Sequence, residues 1–191
     1  MDGSMDGSME ARIEGSYIFE YSSPVGLLTI SSDGERITGL WIKGQKYFAA
    51  ALAPQNTVMG ARGLPVFESA KEWLDTYFGG KNPAFTPQLA PRGSPFRQAV
   101  WEILRGIPYG DAIAYGDIAK TLALQPGKEK MSARAVGGAV SHNPISIMIP
   151  CHRVIGADGS LTGYAGGIGI KSKLLVLEQV DMKLMKRRRF L

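Results

Sequence analysis

Ser132-Ala-Arg-Ala-Val-Gly-Gly-Ala-Val-Ser-His-Asn-Pro-Ile-Ser-Ile-Met-Ile-Pro-Cys-His-Arg-Val154 contains the chain's one cysteine, Cys151. Ser132 is a good N-cap, and Ala133 to Val140 predicts a helix of small residues with a single arginine. The run Ile147 to Cys151 reads as an extended, apolar segment. A solitary thiol cannot form an internal disulfide, a redox pair or a multi-cysteine zinc site. It is either a small buried hydrophobe or a reactive group, and a histidine and an arginine beside it favour reaction.

Upstream of this stretch, Ser94-Pro95 starts a helix with an N-cap serine and proline at the first position. Its apolar stripe is Phe96, Val100, Ile103 and Leu104, and Gly106 ends it. A second helix is predicted from Tyr115 through Ile118, Ala119 and Leu122. Pro126-Gly127 then turns the chain toward the Ser132-capped helix. Helix, turn, helix in a basic region is a DNA-binding pattern, although the turn Gln125 to Met131 is long for it. Gly137-Gly138 costs stability inside a helix. Either two helices pack closely there, or a thin helix approaches a ligand backbone, as in the narrow minor groove.

The N-terminal part has a different period. Tyr17 to Tyr21, Val25 to Ile30 and Ile37 to Ile42 are short β-prone runs separated by Ser-Ser-Pro and Asp33-Gly34, and predict an antiparallel meander. Pro65 opens a helix over Val66 to Phe78, stopped by Gly79-Gly80. The domain reading is therefore residues 17–80 as an N-terminal α/β domain, 81–93 as a linker, 94–182 as a C-terminal domain and 183–191 as a basic tail. Residues 1–16, with Met-Asp-Gly-Ser repeated, read as an expression leader.

The 191 residues carry a net charge of +5. Residues 1–100 contribute −1 (9 basic, 10 acidic) and residues 101–191 contribute +6 (13 basic, 7 acidic). The half with the cysteine is thus the half suited to a polyanion such as nucleic acid. There is no secretory signal and no apolar run of about 18 residues, so the expectation is a cytoplasmic protein off the membrane. Cys151, His142 and His152 are the only soft ligands, so no zinc and no cofactor are expected. His142 reads as a loop residue.

A free thiol is mostly protonated at neutral pH and needs a base. His152 is adjacent, and Glu178 lies in a predicted helix, Lys171 to Val180. A Cys151–His152–Glu178 relay would have the carboxylate fix the imidazole tautomer and the imidazole take the thiol proton. On an extended segment adjacent residues face opposite ways, so a water between Cys151 and His152 is expected. The glycine-rich loop that follows (Gly156, Gly159, Gly163, Gly166, Gly167, Gly169) can wrap a planar ligand, with Tyr164 stacked on it.

Ile149-Pro-Cys-His-Arg-Val154 resembles the active-site motif of the O6-alkylguanine-DNA alkyltransferases. So, in family order, do Ser94-Pro-Phe-Arg-Gln-Ala-Val-Trp101, Ala114-Tyr-Gly-Asp-Ile-Ala119, Ala133-Arg-Ala-Val-Gly-Gly-Ala139, Asn143-Pro144 and Gly163-Tyr-Ala-Gly-Gly167. The resemblance covers roughly residues 94–180. It implies an α+β fold, with an N-terminal β-meander domain carrying a helix and a mostly helical, winged helix-turn-helix-like C-terminal domain. It implies a monomer that binds double-stranded DNA through the minor groove and flips an alkylguanine. Cys151 would accept the alkyl group once, irreversibly, with His152 and Glu178 as relay and Asn143 bonding across the turn before the active-site segment. Tyr115 would rotate the nucleotide's phosphate and donate to the leaving guanine. Arg134 would fill the gap left by the flipped base. Tyr164, Ala165, Gly166 and Val154 would line the pocket. Gly137 and Gly138 would let the helix approach the DNA, and Lys130, with Lys128, in the lengthened turn could add phosphate contacts. The alternatives are a protein that binds alkylated DNA without repair, an alkylation-sensing regulator, and a cysteine hydrolase.

Overall fold

A computed structural model describes residues 16–48, 57–59, 63–124 and 131–181. Residues 1–15 of the stretch 1–16 read as a leader, the turn residues 125–130 with Lys128 and Lys130, and residues 182–191, which include the tail 183–191, lie outside the described residues.

The meander forms as β1 (Ser16–Ser23), β2 (Gly26–Ser32) and β3 (Ile37–Ile42), paired antiparallel with Tyr17 opposite Ser32 and Leu28 opposite Ile42. A short fourth strand, β4 (Thr57–Met59), which the pattern did not predict, lies parallel to β1 and extends the sheet to the order β3-β2-β1-β4. Within β3, a Cβ on Gly39 would lie 1.9 Å from the Trp41 ring, so only glycine lets that indole fold back over the strand. Helix α1 (Pro65–Phe78) buries Phe67, Ala70, Leu74 and Tyr77, the face its period dictates.

The edge of β3 is occupied rather than open. Ile37 N–H donates to Gln88 O (2.8 Å) and Ala90 N–H to Ile37 O (2.8 Å), so the stretch read as a linker is docked there. One turn further along, Leu40 N–H donates to Pro144 O (2.9 Å) and Ser146 N–H to Leu40 O (2.8 Å). Buried Gln45 reinforces this second seam: its Oε1 accepts from Ile42 N–H (2.9 Å) and from Ser146 Oγ (3.1 Å). The run leading to Cys151 is thereby pinned to the sheet, and one apolar core runs through both halves, from Leu28 and Phe67 to Trp101, Val140 and Ile149.

Helix α2 (Pro95–Arg105) has its predicted cap, with Ser94 Oγ accepting from Arg97 N–H (3.4 Å). Next come β5 (Ile113–Ala114), α3 (Tyr115–Ala123) and α4 (Ala133–Ser141), whose cap Ser132 Oγ accepts from Ala135 N–H (3.1 Å). Trp101 Nε1–H donates to Ala139 O (2.9 Å) and ties α2 to α4. After the cysteine, β6 (Val154–Ile155) pairs parallel with β5, and α5 (Ile168–Leu177) closes the fold, starting three residues before the predicted Lys171. Among the described residues no helix is long and apolar enough to cross a membrane.

One expectation fails. The segment through Cys151 is coiled, not extended. Ile147 takes φ +71°, Ile149 N–H bonds back to Ile145 O (3.0 Å), and Cys151–Arg153 forms a single 3-10 turn. Cys151 and His152 therefore do not alternate across a strand. Asn143 supplies the cause. Its Nδ2 donates to Ile145 O (3.2 Å) and Ile149 O (2.8 Å), and its Oδ1 accepts from Ile145 N–H (3.0 Å), so it holds the loop closed on itself.

Candidate active site and nucleic-acid interface

Cys151 sits at the start of the 3-10 turn, 4% exposed. Asn143 Nδ2 reaches its Sγ at 3.1 Å, so the loop-closing amide also addresses the thiol. Burial pushes the thiol's pKa up; the Asn143 amide and the charge of Lys171 oppose it without reversing it.

His152 is fully buried, and its Nε2 lies 2.6 Å from Glu178 Oε1. Glu178 caps the C-terminal end of α5. Burial alone would raise its pKa, but bonds from His152 and Arg153 outweigh that and hold the carboxyl at about 2. The carboxylate is therefore ionised and can only accept, so Nε2 carries the proton and Nδ1 keeps its lone pair. That Nδ1 is buried and, among the described residues, has no hydrogen-bond partner. Burial lowers the pKa of His152, with Glu178 opposing. The resting pair is a neutral thiol and a neutral imidazole with one free basic nitrogen.

Arg153 clamps the carboxylate from the side: Nε donates to Oε2 (2.7 Å), Nη2 to Oε1 (3.0 Å) and Nη1 to Ile107 O (2.6 Å). Tyr77, from α1, donates its hydroxyl to the same Oε1 at 2.7 Å. Neither contact was foreseen. Arg153 was visible only as a basic neighbour of the cysteine, and Tyr77 only as a residue within a predicted helix, 101 residues from its carboxylate partner.

Lys171 is a third residue missed. It is fully buried in the first turn of α5, and its Nζ donates to Val154 O and to Thr162 O (2.6 Å). Burial brings its pKa down to about 8, with Cys151 opposing. Its ammonium staples the strand after the cysteine to the base of the glycine-rich loop.

That loop is shaped by close approaches. Tyr115 donates its hydroxyl to Thr162 O (3.0 Å), and a Cβ on Gly163 (φ +67°) would lie 2.6 Å from that hydroxyl. Gly166 lies against the Tyr164 ring and Ile42, where a Cβ would come within 2.8 Å and 3.2 Å. Ala165 O accepts from Lys46 N–H (3.0 Å). Tyr164 and Val154 are buried with Cys151 in the same core, and Tyr164 Oη has no hydrogen-bond partner among the described residues. The structure thus gathers Cys151, His152, Glu178, Asn143, Val154 and Tyr164, with Tyr115 of α3 bonded to the loop that carries Ala165 and Gly166.

The surface of α4 is separate. Arg134 is exposed in its first turn and, among the described residues, makes no ion pair. The paired glycines divide between the two readings. A Cβ on Gly137 would touch the Tyr115 ring at 3.8 Å, whereas Gly138 is exposed with open space before it. His142 caps α4 by donating Nδ1–H to Gly138 O (2.7 Å) and stacks on Tyr47 at 4.0 Å. Among the described residues no group of three His, Cys, Asp or Glu side chains could hold a metal ion.

Comparison with known proteins identifies the family. Residues 95–180 match the family described as 6-O-methylguanine DNA methyltransferase, DNA binding domain, and residues 17–91 match its ribonuclease-like domain. A methylated-DNA–protein-cysteine methyltransferase of Haemophilus influenzae is 44% identical over 86% of this chain and 87% of its own. One from Methanosarcina acetivorans is 42% identical over 85% of this chain and 97% of its own. The crystal structure of Mycobacterium tuberculosis OGT in complex with DNA superposes with a TM-score of 0.72 at 38% identity, covering 90% of this chain and 99% of that one. The chain belongs to the 6-O-methylguanine DNA methyltransferase family.

Proposed function

We propose that this protein is a methylated-DNA–protein-cysteine methyltransferase that repairs O6-alkylguanine in DNA by moving the alkyl group to Cys151. The observation that carries this reading is a single buried thiol held by Asn143 beside a histidine whose other nitrogen is committed to an ionised carboxylate.

The alkyl carbon lies inside the base stack, so the nucleotide must first leave the duplex, at a cost of a few kcal/mol. Arg134, exposed at the start of a helix that is thin at Gly138, enters the minor groove and fills the gap. The basic C-terminal half, with Lys130, meets phosphates. The flipped base enters between Val154 and the Tyr164-Ala165-Gly166 loop, with Tyr115 at its rim. The protein acts as a monomer.

In the pocket the Cys151 proton passes to His152 Nδ1, directly or through a water, and Glu178 stabilises the imidazolium. The thiolate attacks the alkyl carbon in line. The new S–C bond forms as the C–O6 bond breaks, and guanine leaves with the electron pair, supported by a hydrogen bond from Tyr115. The proton that left Cys151 passes from the imidazolium to the guanine by way of solvent, which restores neutral His152. The thioether is not hydrolysed under cellular conditions. The chain has no second thiol to regenerate Cys151, so each molecule serves once.

The test is intact mass after incubation with a duplex containing O6-methylguanine. One added methyl, abolished in Cys151→Ala, is expected. DNA binding with no mass gain would instead indicate a non-repairing binder, and multiple turnovers a hydrolase.

A further inference from the structure

Tyr77 belongs to α1, in the half of the chain that carries none of the residues assigned above to alkyl transfer. Its side chain is nonetheless fully buried against the relay. The hydroxyl donates to Glu178 Oε1 at 2.7 Å and lies 3.4 Å from His152 Nε2. The carboxylate has no proton to give, so the direction of the first bond is fixed. Burial and the neighbouring carboxylate both push the phenol's pKa up, so it stays protonated as a donor.

The surroundings make the hydroxyl's position rigid. The Tyr77 ring stacks on Trp73 (5.2 Å between centroids, 9° between planes) and meets Tyr109 edge-on at 6.1 Å. The His152 ring is held edge-on between Tyr77 and Tyr164, 6.5 Å from each. Three donors therefore converge on Oε1: His152 Nε2–H, Tyr77 Oη–H and Arg153 Nη2–H. Arg153 and His152 are neighbours on one 3-10 turn. Tyr77 is the contact on that oxygen that comes from another element and sets its place independently.

We propose that Tyr77 is a positioning residue for thiol activation, whose hydroxyl fixes Glu178 Oε1 and with it the Nε2–H tautomer of His152, so that the N-terminal half of the chain completes the relay. Without this hydroxyl the carboxylate keeps Arg153 but can rotate about it, and the imidazole can exchange its proton between nitrogens. When the proton sits on Nδ1, the nitrogen meant to accept from Cys151 is blocked. The inference rests on the alkyl-transfer reading for its consequence, but not for its structural content.

Tyr77→Phe removes one oxygen and keeps the ring packing. The first measurement is the imidazole nitrogen NMR spectrum. The chain has only two histidines, so His152 is resolved against His142 alone. The parent is expected to show a single Nε2–H tautomer for His152, and Tyr77→Phe a mixture, with the His142 signals unmoved. The second measurement is the rate of reaction with free O6-benzylguanine, expected to fall about tenfold, the worth of one hydrogen bond to a charged group. An unchanged tautomer in Tyr77→Phe overturns the proposal, whether or not the rate falls, because a purely structural role would lower the rate without touching the tautomer. A parent that does not react with the benzylated base would count against alkyl transfer itself, while the NMR comparison would still decide the role of Tyr77.

Discussion

The amide nitrogen of Asn143 is shared between a backbone carbonyl, Ile149 O at 2.8 Å, and the Cys151 sulfur at 3.1 Å. One side chain thus shapes the loop and solvates the thiol. Asn143→Ala takes one of two donors from Ile149 O, which keeps Cys151 N–H (2.8 Å), and removes the Oδ1 acceptor of the buried Ile145 N–H, at a cost of about 1–3 kcal/mol. It also removes the donor that offsets burial at Cys151, so the thiol's pKa rises further. The expected result is a lower Tm together with slower reaction with O6-benzylguanine. A slower reaction at unchanged Tm would limit Asn143 to the thiol.

Glu178 makes stability pH-dependent. Its folded pKa of about 2 lies below the ordinary 4.5, so its contribution is full above 4.5 and is lost as pH falls toward about 2. The difference is worth about 3 kcal/mol by linkage. Half-buried Asp33 and exposed Asp75 are also lowered, and His152, whose pKa is lowered by burial, adds an acid penalty. Glu178→Gln isolates the carboxylate. Urea unfolding should show the variant well below the parent at about pH 5, with the gap narrowing toward about pH 3.

Lys171 is charged below about pH 8 and supports the Cys151 thiolate through space. Lys171→Met should slow alkyl transfer at neutral pH by about tenfold, a little over 1 kcal/mol of lost charge stabilisation. As pH rises through 8 the parent's own ammonium is lost, and the two rates should converge. A constant ratio across that range would make Lys171 a staple only.

Arg134 is exposed and, among the described residues, makes no ion pair, so Arg134→Ala should leave Tm unchanged. Repair of duplex O6-methylguanine should fall steeply while reaction with the free benzylated base stays near the parent rate. Equal losses on both substrates would remove Arg134 from base extrusion.

Much of this was legible in the sequence because it is local. Ser94-Pro95, Ser132 and Gly106 mark helix ends through contacts within four residues, and the bounds of β3 follow from its apolar run alone. β4 is three residues long and pairs in parallel with a strand some forty residues earlier, so no local period announces it. The coiled active-site segment was misread because its apolar residues imitate a strand; the bonds from Asn143 that curl it are side-chain contacts that composition does not reveal. Lys171 and Tyr77 were passed over for a related reason. A lysine at a helix start reads as solvated and a tyrosine on an apolar face as core, and only the closed fold shows that one is buried on two carbonyls and the other touches a carboxylate.

The burial of Cys151 has a consequence for the protein's lifetime before use. A thiol 4% exposed, with its pKa raised and its proton still on sulfur, is a poor target for soluble oxidants and small electrophiles. A reagent that works once is wasted by any stray reaction. Keeping the sulfur dormant until a base is delivered into the pocket lets the molecule wait, unspent, for damage that is rare.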